Sequence, residues 1–275
     1  MSDAERTTRR LLILGAHPDD AEFHAGGLAA RYRERGHVVK MVSVTNGAAG
    51  HHRIGPDELT AVRRAEAAAA GRVIGAEYET WDFPDARLQP TLEVRERIIR
   101  EIRTFRPDLV LTHRVNDYHP DHRAVGQAVQ DASYLVTVPL VVPDVPFLRR
   151  DPVVAYMVDL FRRPYPLQAD VLFDASEYVD TIVRMLACHH SQFFDFLPFN
   201  LRVEEPVPED EAERLAWLQR WFAALTAERL ERFRPEMIEA WGRLAAERVT
   251  HLEVYEISEY AGRLDDRRAL FMLDE

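Results

Sequence analysis

The 275 residues, 47% hydrophobic and 29% charged, suffice for one large domain, or a domain plus an extension, around a real core. A net charge of −11 lacks the basic footprint that phosphate backbones demand, which excludes nucleic acid as the main partner. Cys188 is the sole cysteine, so an intrachain disulfide is excluded and a reducing compartment is expected.

Met1 to Arg10 is polar, and the apolar run behind it, about six residues, is shorter than the ~7–15 of a secretory h-region. No apolar stretch approaches the ~20 residues of a membrane span, so a soluble, cytoplasmic protein without membrane partners is expected. Leu11 to Ala16 predicts a fully buried strand of a parallel sheet, stopped by His17-Pro18-Asp19-Asp20 because Pro18 cannot serve as a central ladder member. Phe23, Leu28 and Tyr32 then form a helical stripe that ends near Gly36. Val38 to Thr45 is a second strand, 48–56 a loop, and Asp57 a candidate cap for an Ala-rich helix reaching Gly75. Glu77 to Phe83 is a weaker strand followed by the turn 84–87. Leu92, Ile98, Ile99 and Ile102 mark a third helix, and Asp108 to Thr112 a fourth strand.

That strand runs into His113-Arg114-Val115-Asn116-Asp117-Tyr118-His119-Pro120-Asp121-His122, where Pro120 suits the first position of a helix. Residues 136–150 read as irregular, Val153 to Val158 and Val171 to Asp174 as strands, and Ser176 to Gln192 as a helix with Ser176 as its cap. Cys188 lies in that helix's apolar pattern and reads as a buried, inert thiol. After an acidic, Pro-containing linker at 200–210, Glu211 to Arg232 and Pro235 to Arg248 are amphipathic helices, and His251 to Tyr260 returns to the core. Strands alternating with helices predict an α/β fold: a Rossmann-like, doubly wound, mainly parallel sheet with helices on both faces, plus a C-terminal helical insertion. The expected divisions are a core over 1–200, an insertion over 201–250 and a returning segment over 251–275. The stripe Trp217, Leu218, Trp221, Phe222 and Leu225 belongs to the core, to a lid or to a subunit interface.

Two His/Asp clusters close the first and fourth strands, and in a parallel sheet both strand ends open on one edge. Each spaces its members at i, i+3: His17 with Asp20, and His119 with His122. Two imidazoles and one carboxylate make a zinc site with an open position. The remaining Asp19 is then available to accept a proton from water. Turn and cap chemistry accounts for either cluster alone, but not for both at strand ends. His24, His37, His51 and His52 are read as surface residues, and His113 as a supporting or core histidine.

Ala16-His17-Pro18-Asp19-Asp20-Ala21-Glu22 with Gly26-Gly27, Thr45-Asn46-Gly47, Arg63-x-x-Glu66, His119-Pro120-Asp121-His122 and His189-x-Ser191-Gln192 together resemble the LmbE / PIG-L family of zinc-dependent de-N-acetylases. The resemblance runs over roughly 10–195 and returns weakly at Leu252-Glu253-Val254-Tyr255. It implies that His17, Asp20 and His122 bind Zn2+ (Fe2+ or Co2+ could occupy the same ligands), and that Asp19 is the general base. It further implies that His119 faces the oxyanion or protonates the leaving amine, that Asp121 orients His119, and that Arg63 and Asp85 reach substrate hydroxyls. The substrate implied is a small N-acylated, amino-sugar-derived molecule, and a homo-oligomer is suggested. The family's usual lysine before the His-x-Ser-Gln motif is Ile182 here, and its Arg-Gly-Glu loop is Asn46-Gly47-Ala48. Two other readings stay open: a non-haem Fe(II) oxygenase using His17, Asp19 and His122, and a nucleotide-binding strand–loop–helix, which Asp19-Asp20 disfavours by repelling phosphate.

Overall fold

Residues 8–264 and 267–273 are described in the computed structural model; most of the polar N-terminal stretch, and four residues of the returning segment, lie outside them. Four short runs rich in Val, Leu or Ile, 10–15, 38–45, 109–112 and 153–157, are buried along nearly their whole length and form parallel strands joined by crossovers, and a fifth, 77–83, is more polar and only partly buried at the sheet edge. In chain order they are β1 (Arg10–Gly15), α1 (Asp20–Glu34), β2 (Val38–Thr45), α2 (Pro56–Ile74), β3 (Glu77–Phe83), α3 (Leu92–Phe105), β4 (Leu109–Thr112), α4 (Pro120–Ala132) and β5 (Val153–Met157). Next come β6 (Val171–Asp174), α5 (Val179–Cys188), a π-helical turn (Ser191–Phe196) leading into α6 (Leu197–Asn200), α7 (Glu211–Arg232), α8 (Arg234–Trp241), α9 (Arg243–Ala246), β7 (Leu252–Ile257) and α10 (Arg267–Leu270). The sheet order is β3-β2-β1-β4-β5-β7-β6, with β7 antiparallel to both of its neighbours. Ile13 pairs with Met41 on one side and Leu111 on the other, so the ends of β1, β2 and β4 lie at one level of the sheet edge.

Alternation along β1 divides the core. Leu11 and Ile13 face the layer shared with α1, α5 and α7, whereas Leu12 and Leu14 face the layer of α3 and α4. Most of the apolar stripe of α7 is spent on the first of these layers, with Leu225 left exposed. Trp217, Leu218 and Phe222 are buried, and Phe222 sits edge-on to Phe23 of α1 at 5.6 Å. Phe233, Met237 and Ala246 form a third cluster with Leu252 and Val254, covering the β6–β7 end of the sheet.

Several boundaries differ from the sequence reading. Gly55 caps α2 with Pro56 at its first position, so Asp57 lies one residue inside, in the first turn. Ser176 opens a separate 3-10 turn before α5, which stops at Cys188. Cys188 itself is half-buried, with burial pushing its thiol up and Sγ 3.4 Å from Arg184 O. The predicted 235–248 helix breaks at Gly242, whose φ of 80° ends one helix and starts another. No helix among the described residues is long and apolar enough to cross a membrane.

Candidate metal centre

At the end of β1 the chain folds back on itself. Asp20 Oδ2 accepts the backbone N–H groups of Ala16 at 2.8 Å and His17 at 2.7 Å. That return demands glycine at 15, where a Cβ would lie 2.8 Å from Asp20 Cβ. Asp19, at the N-terminus of α1, is held at φ 128°, ψ −22°, a conformation that costs a non-glycine residue on the order of 1–3 kcal/mol. Its N–H donates to Tyr78 Oη at 3.2 Å, and Tyr78 Oη donates in turn to Glu22 Oε2 at 3.3 Å. Strain at such a position marks a residue aimed for a purpose other than stability.

The second cluster is fixed at the start of α4. His119 Nδ1 accepts the Asp121 N–H at 3.2 Å and so caps the helix, while Asp117 Oδ1 accepts the His119 N–H at 2.9 Å. The same Asp117 oxygen lies 3.0 Å from His122 Nδ1. Burial alone would raise Asp117, but His122 at that distance holds it down at about 2.

The clusters meet. His17 Nδ1 lies 3.3 Å from His122 Nε2 and 3.6 Å from Asp20 Oδ2, and His122 Nε2 lies 3.4 Å from Asp20 Oδ1. Donor atoms about 2.0–2.2 Å from a tetrahedral cation stand roughly 3.3–3.6 Å apart, so each of these pairs has a ligand-like separation, Asp20 turning Oδ2 to His17 and Oδ1 to His122. The outer nitrogens agree with that. His17 Nε2 faces Asp121 Oδ2 and Asp85 Oδ1, each at 3.3 Å, and His122 Nδ1 faces Asp117. In the tautomers that turn the outer N–H groups to these carboxylates, the inner nitrogens of both imidazoles are left with lone pairs able to accept a cation. The field favours one: burial alone would lower His17 and His122, yet the surrounding carboxylates raise His17 well above its ordinary range and His122 to about 9. Asp20, which burial would raise, is held well below the usual carboxylate range by His122 and His113. Three overlapping groups among the described residues bring donor atoms close enough to hold a cation: His17, His119 and His122; Asp20, His113 and His122; and His17, Asp85 and Asp121.

Asp19 differs from its neighbours. It is 8% exposed, and among the described residues no donor reaches its carboxylate. Burial and then the charge of Asp20 push it up to about 7. His119 is half-buried, its ring edge-on to His17 at 4.5 Å, and burial, His17 and His122 lower it. Because Nδ1 accepts from the backbone, a neutral His119 carries its proton on Nε2.

Three expectations change. The Asp121 carboxylate does not orient His119; it accepts the N–H groups of Ala86 at 2.7 Å and Leu88 at 3.1 Å and faces His17, and Asp121 meets His119 through its backbone. Arg63 is 2% exposed, with its guanidinium on Gly50 O and Gln192 Oε1, so it supports the loop after β2, and its charge partly offsets the rise of Asp19. The Asp85 oxygens are also engaged, one on His17 and the other on the Ala49 N–H at 2.8 Å. Among the histidines read as surface, His24 is half-buried against His113 at 5.8 Å, and the His51 side chain is 1% exposed. His52 is exposed and stacks on Phe199 at 3.9 Å. His113 does support the cluster: it stacks on His122 at 3.9 Å with Nε2 3.1 Å from Asp20 Oδ2. Sequence reasoning missed Asp117, although its place two residues before His119 signals a turn. It also missed Tyr78, for which a weak strand gives no signal.

A family profile described as PIG-L: GlcNAc-PI de-N-acetylase matches residues 12–133, a span that holds both clusters. Diacetylchitobiose deacetylase from Thermococcus kodakarensis is 27% identical over 191 residues, 67% of this chain and 70% of that protein. 4-Oxalmesaconate hydratase from Pseudomonas putida is 28% identical over 129 residues, 44% of this chain, and the match spans half of the hydratase's length. The solved N,N'-diacetylchitobiose deacetylase of Pyrococcus horikoshii superposes with a TM-score of 0.70 at 18% identity, covering 92% of this chain and 85% of that one, a likeness of fold.

Proposed function

We propose that this chain, a member of the PIG-L family, is a metal-dependent amide hydrolase. It removes an acetyl or related acyl group from an N-acetylated amino sugar or a similar small conjugate. The observation that carries this reading is the convergence of His17, Asp20 and His122, whose polar atoms pair at 3.3–3.6 Å, beside an Asp19 carboxylate that no donor among the described residues occupies. Zinc is the occupant this donor set suits by default, with iron or cobalt able to use the same ligands. When bound, such a cation supplies Lewis acidity, polarising an amide carbonyl and lowering the pKa of a water toward ~7.

The chain's own groups do the rest. Asp19 takes the proton of the attacking water as its oxygen bonds to the acyl carbon. His119, which carries its proton on Nε2, donates a hydrogen bond to the developing oxyanion, and the proton that Asp19 has taken passes to the departing nitrogen. Breaking the C–N bond then yields a carboxylic acid and a free amine. Asp121 and Asp85 hold His17, Asp117 holds His122, and His113 backs Asp20, so each proposed ligand is oriented by a neighbour.

The hydratase among the relatives favours a second reading, in which the same activated water adds to a carbon–carbon double bond. A screen of N-acetylated amino sugars and their inositol and nucleotide conjugates, read by acetate release, tests the first reading. Loss of the ultraviolet absorbance of conjugated unsaturated acids tests the second. Acetate release that disappears in Asp19→Asn supports amide hydrolysis. Absorbance loss with no acetate from any amide overturns it.

A further inference from the structure

Helix α1 is broken at Ala25, whose φ of −145° and ψ of 19° interrupt it one turn after Asp20. In an uninterrupted helix the Gly27 N–H donates to the Phe23 carbonyl. Here side chains from the far end of the chain engage both groups. Glu253 of β7 accepts the Gly27 N–H at 2.6 Å on Oε1 and the Leu28 N–H at 3.0 Å on Oε2, while Arg229 of α7 donates Nη1–H to Phe23 O at 3.1 Å. Glycine at 27 permits the approach, since a Cβ there would lie 2.5 Å from Ala175 Cβ and 3.0 Å from Glu253 Oε1. Glu253 is 0% and Arg229 5% exposed, with the guanidinium 4.8 Å over the Phe23 ring. Each is an ionisable side chain buried at a desolvation cost and directed at backbone groups of the break, with Tyr255 Oη also donating to Glu253 Oε2 at 2.7 Å.

The contacts of this pair lead towards the metal centre. Arg229 Nη2 lies 3.4 Å from His24 Nδ1, the His24 ring stands edge-on to His113, and His113 contacts Asp20 and stacks on His122. We infer that Arg229 and Glu253 are positioning residues for the metal centre: they fix the angle of the turn Asp20–His24 so that Asp20 and, through His24 and His113, His122 face His17. The inference rests on the proposed metal reading, and it gives α7 and β7 a part in the site at one remove from its ligands.

Cobalt(II) is the probe, read by its visible absorption band and by competition with a chelator. Arg229→Met and the isosteric Glu253→Gln are expected to weaken cobalt affinity about tenfold or more and to shift the band, while unfolding stays cooperative. Arg229→Lys, which keeps a charge beside Phe23 O, is expected to recover most of the affinity. Leu218→Ala, on the same helix but buried in the core, is expected to lower the melting temperature and leave the affinity and band unchanged. Wild-type affinity and spectrum in both Arg229→Met and Glu253→Gln would overturn the inference, as would an equal loss of affinity in Leu218→Ala. Failure of the wild-type chain to bind cobalt would instead overturn the metal reading beneath it.

Discussion

Replacing Asp19 by Asn separates catalysis from stability, because the two are expected to move in opposite directions. Asn suits the positive φ at this position as well as Asp does, and no hydrogen bond to the side chain is lost among the described residues, since none is made there. Only the charge goes. Burial and Asp20 raise the Asp19 carboxyl from its ordinary 3.8 to about 7, which corresponds to about 4 kcal/mol against ionisation in the folded chain. A carboxyl raised in the native state holds a proton that the unfolded chain has released. Its contribution is therefore complete below pH 3.8 and is lost as pH rises through about 7. Metal-free Asp19→Asn should accordingly be more stable than metal-free wild type at pH 8, by on the order of 2–4 kcal/mol, and the gap should close on acidification toward pH 4. With metal at full occupancy, the same variant should lose ~10²–10⁴-fold in turnover, or about 3–5 kcal/mol of transition-state stabilisation. Urea unfolding of the metal-free proteins and acetate release by the reconstituted ones measure both effects. A variant no more stable than wild type at pH 8, or one whose turnover stays within about tenfold at full occupancy, refutes the reasoning.

Three further outcomes follow from the packing. Asp117→Asn removes the charge facing His122 Nδ1 and should weaken metal binding ~10–100-fold in a chelator competition, and unchanged affinity would remove Asp117 from the site. Phe222→Ala should cost about 3–5 kcal/mol in urea unfolding because the ring is 1% exposed against Phe23; a loss below about 1 kcal/mol would mean that α7 is not part of the core. Burial and Arg229 push His251 down to about 3, so on acidification the unfolded chain takes up a proton near pH 6.5 that the native chain refuses. Wild type should therefore lose about 2 kcal/mol relative to His251→Gln between about pH 7 and pH 5, and parallel stability curves for the two proteins would contradict the burial of that imidazole.

The parallel part of the fold was legible chiefly because β1, β2 and β4 are short apolar runs, with Gly15, Asn46 and Pro84 punctuating the first three strand ends. Val38–Thr45 and Glu77–Phe83 fall where the pattern places them. The two clusters were legible for the same reason, since strands that run together open at one edge. Direction in the last strands was not: an alternating run such as Leu252–Ile257 looks alike whether its neighbour runs with it or against it. Roles that depend on distant backbone were hidden as well. Nothing near Asp121 tells that its carboxylate will be taken by the N–H groups of Ala86 and Leu88, so its nearness to His119 in the chain pointed to the wrong imidazole. Burial misled in a similar way for Arg63 and His51, polar residues whose partners come from the π-helical turn at 191–196.

Metal stoichiometry, measured by elemental analysis after reconstitution with zinc and dialysis, bears most directly on whether His17, Asp20 and His122 act as one site. One equivalent per chain in wild type, lost on His122→Ala and on His17→Ala, is the expected result. Retention of a full equivalent in either variant, or none in the wild-type chain, would contradict it.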